Sequence, residues 1–298
     1  MAENRCRGRT VHFYNALHPE DALGGLILNP SVTEKIFFFM LEILIVASDP
    51  YSVSLRGTDT IVTPSDQPLK PGHYDIRPNS PGGTISITDE PCITRVYSGA
   101  DSLTTTEFLN QVRERDRKCV ITGTMNIRAD MDIWVGFHAA HVFPLSHRQL
   151  SVSSGLSRCI TNGERGSDSW INSCQNGLLM QSNIHEDFDT FCFSINPDDN
   201  YKIVSFVPDV FGVDGRKLDP ICRAPDDDRS VRDELLRWHF HQAVLTNMRG
   251  AGEPGFEIDF PPGTDMVGEI LNGPQAAKRM ETELFLRLNR YWQTSLSH

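Results

Sequence analysis

The chain has 298 residues, of which 39% are apolar and 22% are charged, a composition typical of globular domains. Its length predicts roughly two domains. The formal net charge of −11 at pH 7 argues against a generally basic surface, so any contact with nucleic acid has to come from a local basic patch.

The cysteines and the most apolar segment exclude two further kinds of protein. The seven cysteines are an odd number and none stands in a CxxC pair, which argues against a cysteine-built zinc site. The apolar segment 36–47 contains Glu42 and is much shorter than the roughly 20 residues that cross a bilayer. Because no signal peptide is recognisable, we expect a reduced, intracellular protein, cytoplasmic or nuclear, with no membrane partner.

Residues 9–100 are predicted to form a small β-rich domain. Strand composition or alternation marks the short segments TVHFYNA, YSVSLRG, GHYDIRP and GTISITD. The pair Gly24 and Gly25 before an apolar run suits a hairpin. The segment EKIFFFMLEI is apolar all round, so periodicity leaves both a buried helix and a buried strand open. A sheet that clasps one helix, similar to a ubiquitin-like grasp fold, would accommodate this order of elements.

Two further sections complete a predicted α+β fold. Residues 105–210 begin with a helix over EFLNQVRERDRKC, which a threonine caps. Residues 211–298 are predicted to be a helical extension that packs on this section, with a second helix over 276–292. The first helix of the extension, which Gly250 would end, is marked by apolar residues at three-and-four spacing. These residues are Leu235, Leu236, Phe240, Ala243, Val244 and Met248.

The segments HAAHVFPLSH and NGLLMQSNIHEDFD hold the side chains that metal-assisted phosphodiester hydrolysis requires. That chemistry needs a neutral imidazole as general base and a cation that stabilises charge on the phosphate. His185 and Asp189 are four residues apart, so a helix would place both within reach of one ion. His138 and His141 are three apart, so a regular strand would point them to opposite faces. The Asn176 carboxamide could hold a neighbouring loop through backbone hydrogen bonds.

Three segments together resemble the HNH endonucleases, which have the ββα-metal fold, and are most similar to the fungal branch of that family. These segments are RERDRKCVITG (113–123), GFHAAHVFPLSH (136–147) and INSCQNGLLMQSNIHEDFDTFCFSI (171–195). The similarity extends into both flanking sections, for example at VHFYNA, PGHYDI and DELLRWHFHQAVLTNMRGAGEP. The resemblance implies a central ββα core in residues 105–210, with family-specific N- and C-terminal extensions.

The resemblance also implies a role for each residue that matches the motif. His141 corresponds to the general base that activates water, and Asn176 to the asparagine that braces the loop carrying this base. His185 corresponds to a metal ligand, and Asp189 stands where some members carry a further ligand one helical turn on. The implied activity is hydrolysis of phosphodiester bonds with a divalent metal, Mg²⁺ or Mn²⁺ rather than Zn²⁺.

Two departures from the family pattern affect the implied metal site. Many members carry a ligand just before the base histidine, where this chain has Ala140. The fungal relatives commonly carry a glutamate three residues before the base, where this chain has His138, which makes His138 a third candidate ligand. Two or three protein ligands, completed by water and substrate phosphate, would hold Mg²⁺ weakly.

A cluster of basic residues near the start of the resemblance is the candidate phosphate-binding patch. Its members are Arg113, Arg115, Arg117 and Lys118. Positive side chains of this kind contact backbone phosphates in nucleic-acid complexes. Because Glu114 and Asp116 alternate with them, a solvated face of mixed charge is the other interpretation.

Three functions remain open from the sequence. The first is an HNH-type nuclease acting on nucleic acid, which the net charge of −11 disfavours. The second is the same scaffold performing metal-free acid/base chemistry on a small molecule, such as an isomerisation or cyclisation in fungal secondary metabolism, since a fold does not fix a function. The third is a non-catalytic interaction protein.

Overall fold

The computed structural model shows a mixed α+β architecture with several small sheets. It describes residues 8–58, 60–93, 104–145, 155–162, 168–250, 265, 267–268, 271 and 280. Four α-helices lie within these residues, which confirms the predicted α+β class. The helix predicted over 276–292 falls almost wholly outside them.

The N-terminal section contains a five-stranded sheet with strand order β2-β1-β6-β4-β5. Its strands are β1 (Val11–Asn15), β2 (His18–Leu26), β4 (Tyr51–Leu55), β5 (Ile61–Val62) and β6 (Gly72–Pro78). The central strands β1 and β6 are parallel, and every other pair in the sheet is antiparallel. Alternate residues along β1 are buried, so one face of the sheet forms part of the core and the other is partly exposed.

The apolar segment whose state the sequence leaves open forms a helix that runs directly into a strand. Helix α1 spans Glu34–Leu44, and β3 (Ile45–Ala47) follows it and pairs with β7 (Ile85–Ile87). Thr33 caps the helix, because its hydroxyl accepts a hydrogen bond from the backbone N–H of Ile36 at 3.3 Å. The segment is apolar on all sides because it forms first a helix packed against the sheet and then a paired strand.

The hairpin predicted at Gly24 and Gly25 is wrong, because both glycines lie inside strand β2. A Cβ at Gly24 would lie 2.2 Å from the backbone oxygen of Met248, and a Cβ at Gly25 would lie 2.5 Å from that of Val11. The glycines therefore allow another backbone to approach the strand closely. In the sequence, a glycine pair with this role looks the same as a glycine pair in a turn.

The second half of the chain places a helix on each side of a two-stranded hairpin. Its elements are α2 (Thr106–Asp116), β8 (Phe137–His141), β9 (Gly177–Gln181), α3 (Ser182–Asp189), β10 (Phe193–Asn196), β11 (Lys202–Ser205) and α4 (Asp233–Met248). Strands β8 and β9 pair antiparallel in regular register, and α3 begins where β9 ends. Helix α2 has the predicted threonine cap, Thr105, and packs across both strands.

Helix α4 connects the two main hydrophobic cores. Leu235 and Leu236 belong to the core that contains β8, β9 and α3, whereas Phe240 and Val244 belong to the core of the N-terminal sheet. All six apolar residues predicted to form its buried face are buried. His239 is also buried, where it stacks on an aromatic ring and hydrogen-bonds to neighbouring elements, so it serves packing. None of the helices within the described residues is long and apolar enough to cross a membrane.

Candidate active site

His141 lies at the end of β8, directly opposite Gly177 of β9. Its ring stacks on Phe108 of helix α2 with 4.0 Å between centroids and 6° between planes. Its Nε2 lies 3.1 Å from Oδ1 of Asn172. Because a carboxamide oxygen only accepts hydrogen bonds, Nε2 carries the proton and Nδ1 keeps its lone pair. The imidazole is therefore held in the tautomer that can accept a proton at Nδ1.

The surroundings of His141 keep it neutral. Burial lowers the pKa of His141 to about 4, while Asn172 and the charge of Asp189 act in the opposite direction and His185 lowers it further. Asp189 and His185 therefore lie within electrostatic range of the His141 ring. At neutral pH the side chain is thus unprotonated, the state that a general base requires.

The side chain of Asn176 braces the loop that follows β8. It is fully buried, and its Oδ1 accepts a hydrogen bond from the backbone N–H of Phe143 at 2.8 Å. Its Nδ2 donates to the backbone oxygens of Phe143 and Ile171, both at 3.0 Å. The backbone oxygen of Asn176 also accepts from the N–H of Val142 at 2.9 Å. Three of these four hydrogen bonds fix the chain immediately after His141, and the one to Ile171 ties the Asn176 side chain to the segment before it.

His185 lies between His138 and Asp189. Its Nδ1 is 3.2 Å from Nδ1 of His138, and its Nε2 is 3.1 Å from Oδ2 of Asp189. The two neighbours therefore meet opposite sides of the imidazole ring. His138 and His141 point to different elements, since His138 contacts α3 and His141 stacks on α2, as a regular strand requires.

The pair formed by His185 and Asp189 suits a divalent cation. Nε2 of His185 is buried and has no hydrogen-bond partner, although a carboxylate oxygen of Asp189 lies 3.1 Å away. A buried imidazole nitrogen beside a carboxylate oxygen supplies two donors of the kinds that divalent ions accept. Among the described residues, however, no group of three His, Cys, Asp or Glu side chains converges on one metal position. The donor set is thus too small for a closed zinc site and fits an ion that keeps water ligands.

Arg115, a predicted phosphate contact, is a buried structural residue. Its side chain is 1% exposed, and all five of its N–H groups donate hydrogen bonds at 2.6–3.0 Å. The acceptors are the Asp116 carboxylate and the backbone oxygens of Cys174, Gly177 and Arg229. A phosphate could reach this guanidinium only by displacing these partners, so the geometry argues against the predicted contact.

The two other predicted phosphate contacts are paired with carboxylates. Arg117 contacts Asp130 at 2.7 Å on an exposed surface, and Lys118 contacts Asp219 at 2.6 Å. The interpretation as a face of mixed charge therefore describes these two residues. Arg113, the fourth member of the cluster, contacts the Trp134 ring instead.

The sequence alone does not indicate two residues of the site, Phe108 and Asn172. Phe108 lies on the buried face of α2 with Val112, so helical spacing marks it as core without indicating that it stacks on a histidine. Asn172 lies four residues before Asn176 in the segment INSCQN, and nothing in its local sequence distinguishes it. Its contact with His141 depends on how the chain between β8 and β9 folds back.

The segment that carries this geometry also has a family match. Residues 119–196 match the HNH endonuclease family. This confirms the resemblance over that segment, which contains His138, His141, Asn176, His185 and Asp189. Residues 8–83 match a family described as a domain of unknown function (DUF8573). No curated protein and no solved structure gives a significant match to the chain.

Proposed function

We propose that this protein is a metal-dependent nuclease that hydrolyses phosphodiester bonds with His141 as its general base. The main support for the proposal is that two features lie close together within the segment that matches the HNH family. One is a neutral histidine in a fixed tautomer at the end of β8, and the other is the buried pair His185 and Asp189 within electrostatic range of it. The HNH match favours this function over metal-free chemistry on a small molecule.

The proton transfer follows from the tautomer of His141. A water molecule gives one proton to Nδ1 as its oxygen attacks phosphorus, and the leaving oxygen takes the electron pair of the broken P–O bond. The imidazolium that forms is stabilised because Nε2–H donates to Asn172 and the Asp189 carboxylate is nearby. Stacking on Phe108 prevents the ring from rotating away. Asn176 holds the following loop, so the base keeps its position during the reaction.

A divalent ion, Mg²⁺ or Mn²⁺, would be held by Nε2 of His185 and a carboxylate oxygen of Asp189. When bound, it would stabilise the negative charge that develops on the phosphate oxygens. His138 contacts the other nitrogen of His185, so we assign it an orienting role rather than that of a third ligand. This assignment accounts for the absence of a three-residue metal group among the described residues.

Cleavage assays on plasmid DNA and on labelled single-stranded and duplex DNA and RNA test the proposal. Wild-type protein should cleave at least one of these substrates with Mg²⁺ or Mn²⁺ and be silent with EDTA. The variant His141→Ala should lose cleavage while it still binds metal, and His185→Ala should lose both. The matched control is His241→Ala, because His241 pairs with Glu90 at 2.9 Å outside the site. Cleavage that survives in His141→Ala, or metal binding that survives in His185→Ala, would overturn the assignment.

We also propose that the N-terminal section is a ubiquitin-like grasp domain and that β8, β9 and α3 form the ββα-metal core. The strand order β2-β1-β6-β4-β5, the parallel central pair and a single helix packed on the sheet support the first assignment. An antiparallel hairpin followed at once by a helix supports the second. The division into domains 9–100, 105–210 and 211–298, the fungal branch and an intracellular location stay predictions.

A further inference from the structure

Arg113 differs from the other basic residues at the end of helix α2. Arg115 donates all its hydrogen bonds to protein acceptors, and Arg117 and Lys118 form ion pairs. No hydrogen bond or ion pair joins the Arg113 guanidinium to another side chain or carbonyl within the described part of the chain, and its Nε is buried without a partner. An arginine N–H that is shielded from water and lacks an acceptor is a donor left for a ligand.

The Arg113 guanidinium is nevertheless held in place. Its central carbon lies 5.0 Å from the centre of the Trp134 ring, within the distance of a cation–π contact. Trp134 is itself fixed, because its Nε1 donates to Asp132 at 2.7 Å. The charge of Asp132 acts on the Arg113 guanidinium, but this carboxylate accepts its hydrogen bond from the tryptophan. A guanidinium that is positioned by an aromatic ring keeps its planar edge available for an anion.

The position of Arg113 connects it to the candidate active site. Helix α2 packs on β9 and on β8, the strand that carries both His138 and His141. The charge of Arg113 acts on His138, so the guanidinium lies within electrostatic range of the histidine that contacts His185. A substrate strand whose scissile phosphate lies between His141 and His185 would thus pass close to Arg113.

We propose that Arg113, supported by Trp134, is the residue that binds a backbone phosphate of the substrate. This assignment rests on the proposed nuclease function and moves the phosphate contact away from the three neighbouring cations. Arginine suits the role because its planar N–H groups can donate two parallel hydrogen bonds to a phosphate. Because its charge acts on His138, the contact would be local to the site, so it can operate in a chain with a net charge of −11.

Binding to labelled oligonucleotides by the His141→Ala protein, which should not cleave them, tests Arg113 separately from catalysis. Arg113→Gln should weaken binding roughly tenfold, because a charge-assisted hydrogen bond is lost. The slope of log affinity against log salt concentration should fall by about one, which corresponds to one neutralised phosphate. The matched control Arg117→Gln removes the same charge from the same helix end. It should leave the affinity within about twofold, because Arg117 pairs with Asp130 on the surface and does not contact the substrate in this proposal. Arg113→Lys keeps the charge without the planar edge and should bind with intermediate affinity.

Each outcome decides between the two proposals. If Arg113→Gln binds as tightly as its parent, or loses no more than Arg117→Gln, the assignment to Arg113 is wrong while the nuclease proposal stands. If Arg113→Gln does not fold, the folded Arg113→Lys decides in the same way, since undiminished affinity in that variant would contradict a planar contact. If wild-type protein neither binds nor cleaves any nucleic acid, the proposed function fails and Arg113 loses its role with it.

Discussion

Replacing Asn172 by aspartate should raise the pKa of His141 and thereby shift the pH dependence of catalysis. In the wild-type protein a carboxamide oxygen lies 3.1 Å from Nε2 of His141. A carboxylate at the same distance would attract the imidazolium by about 5 kcal/mol at an effective dielectric constant of about 20. That energy corresponds to an upward shift of about 4 pKa units. An opposite charge at such short range usually shifts a pKa by about 1–3 units, so we expect a shift in that range.

The direction of the effect on rate follows from the pKa of the free enzyme. With the pKa of His141 at about 4, the base is unprotonated at neutral pH and kcat/KM falls only as the pH drops through about 4. In Asn172→Asp the base should titrate at about pH 5–7, so kcat/KM should already fall in that range. At pH 8 both forms are unprotonated, and the variant should be at least as fast because its base is stronger.

Initial rates at subsaturating substrate between pH 4 and 9 measure this shift. Circular dichroism at each pH verifies that the protein is still folded. Asn172→Ala is the control, because it removes the hydrogen bond that selects the tautomer without adding a charge, and it should lower the rate without raising the acid limb. An acid limb at the same pH in Asn172→Asp and wild type would refute the assignment of His141 as the base.

Three further predictions concern stability and packing. Asn176→Ala should destabilise the fold by about 3–5 kcal/mol in urea unfolding, because it leaves three buried backbone groups without partners. Gly177→Ala should lower kcat, since the new Cβ would lie 2.6 Å from the Phe108 ring that stacks on His141, and unchanged kinetics would contradict this. Burial lowers the pKa of His239 to about 3 from 6.5, so the unfolded chain binds a proton at pH 5 that the folded protein does not. The free energy of unfolding should therefore be about 2 kcal/mol lower at pH 5 than above pH 6.5. His239→Gln should abolish this loss.

The elements that the sequence predicts well are those with local signals. The spacing of His185 and Asp189 on a helix, the threonine cap of α2 and the apolar face of α4 each depend on residues within a few positions of one another. Helical periodicity determines which of these side chains share a face, whatever the rest of the chain does. The structure therefore agrees with the sequence at these elements.

The environments of the basic residues depend on tertiary packing, although the helical spacing in α2 indicates part of them. Phe108, Val112, Arg115 and Asp116 are all buried, and their spacing is that of one helical face. A buried face that includes an adjacent arginine and aspartate predicts an internal ion pair rather than a phosphate contact. Arg113 lies off this face, but its stacking on Trp134 comes from a loop more than 20 residues on, which periodicity does not reveal.

The hairpin expected at Gly24 and Gly25 failed for a similar reason. A glycine pair signals either a turn or a close approach of two backbones, and only the position of a distant element decides between them. Here that element is the end of α4, whose Met248 oxygen occupies the space of a side chain at Gly24. The contact joins residues more than 200 positions apart, so no local pattern could have identified it.

The net charge of −11 and the pairing of cations near the site together predict an unusually weak salt dependence. A nuclease that binds through many phosphate contacts loses affinity steeply with salt, by a slope of about −0.9 for each neutralised phosphate. With Arg115, Arg117 and Lys118 paired and Arg113 as the phosphate contact, affinity should fall only about fourfold between 50 and 200 mM salt. The acidic chain also repels a polyanion at long range, and screening of that repulsion opposes even this fall. A hundredfold loss over the same range would mean that several other cations bind phosphate, which would contradict the assignment to a single arginine.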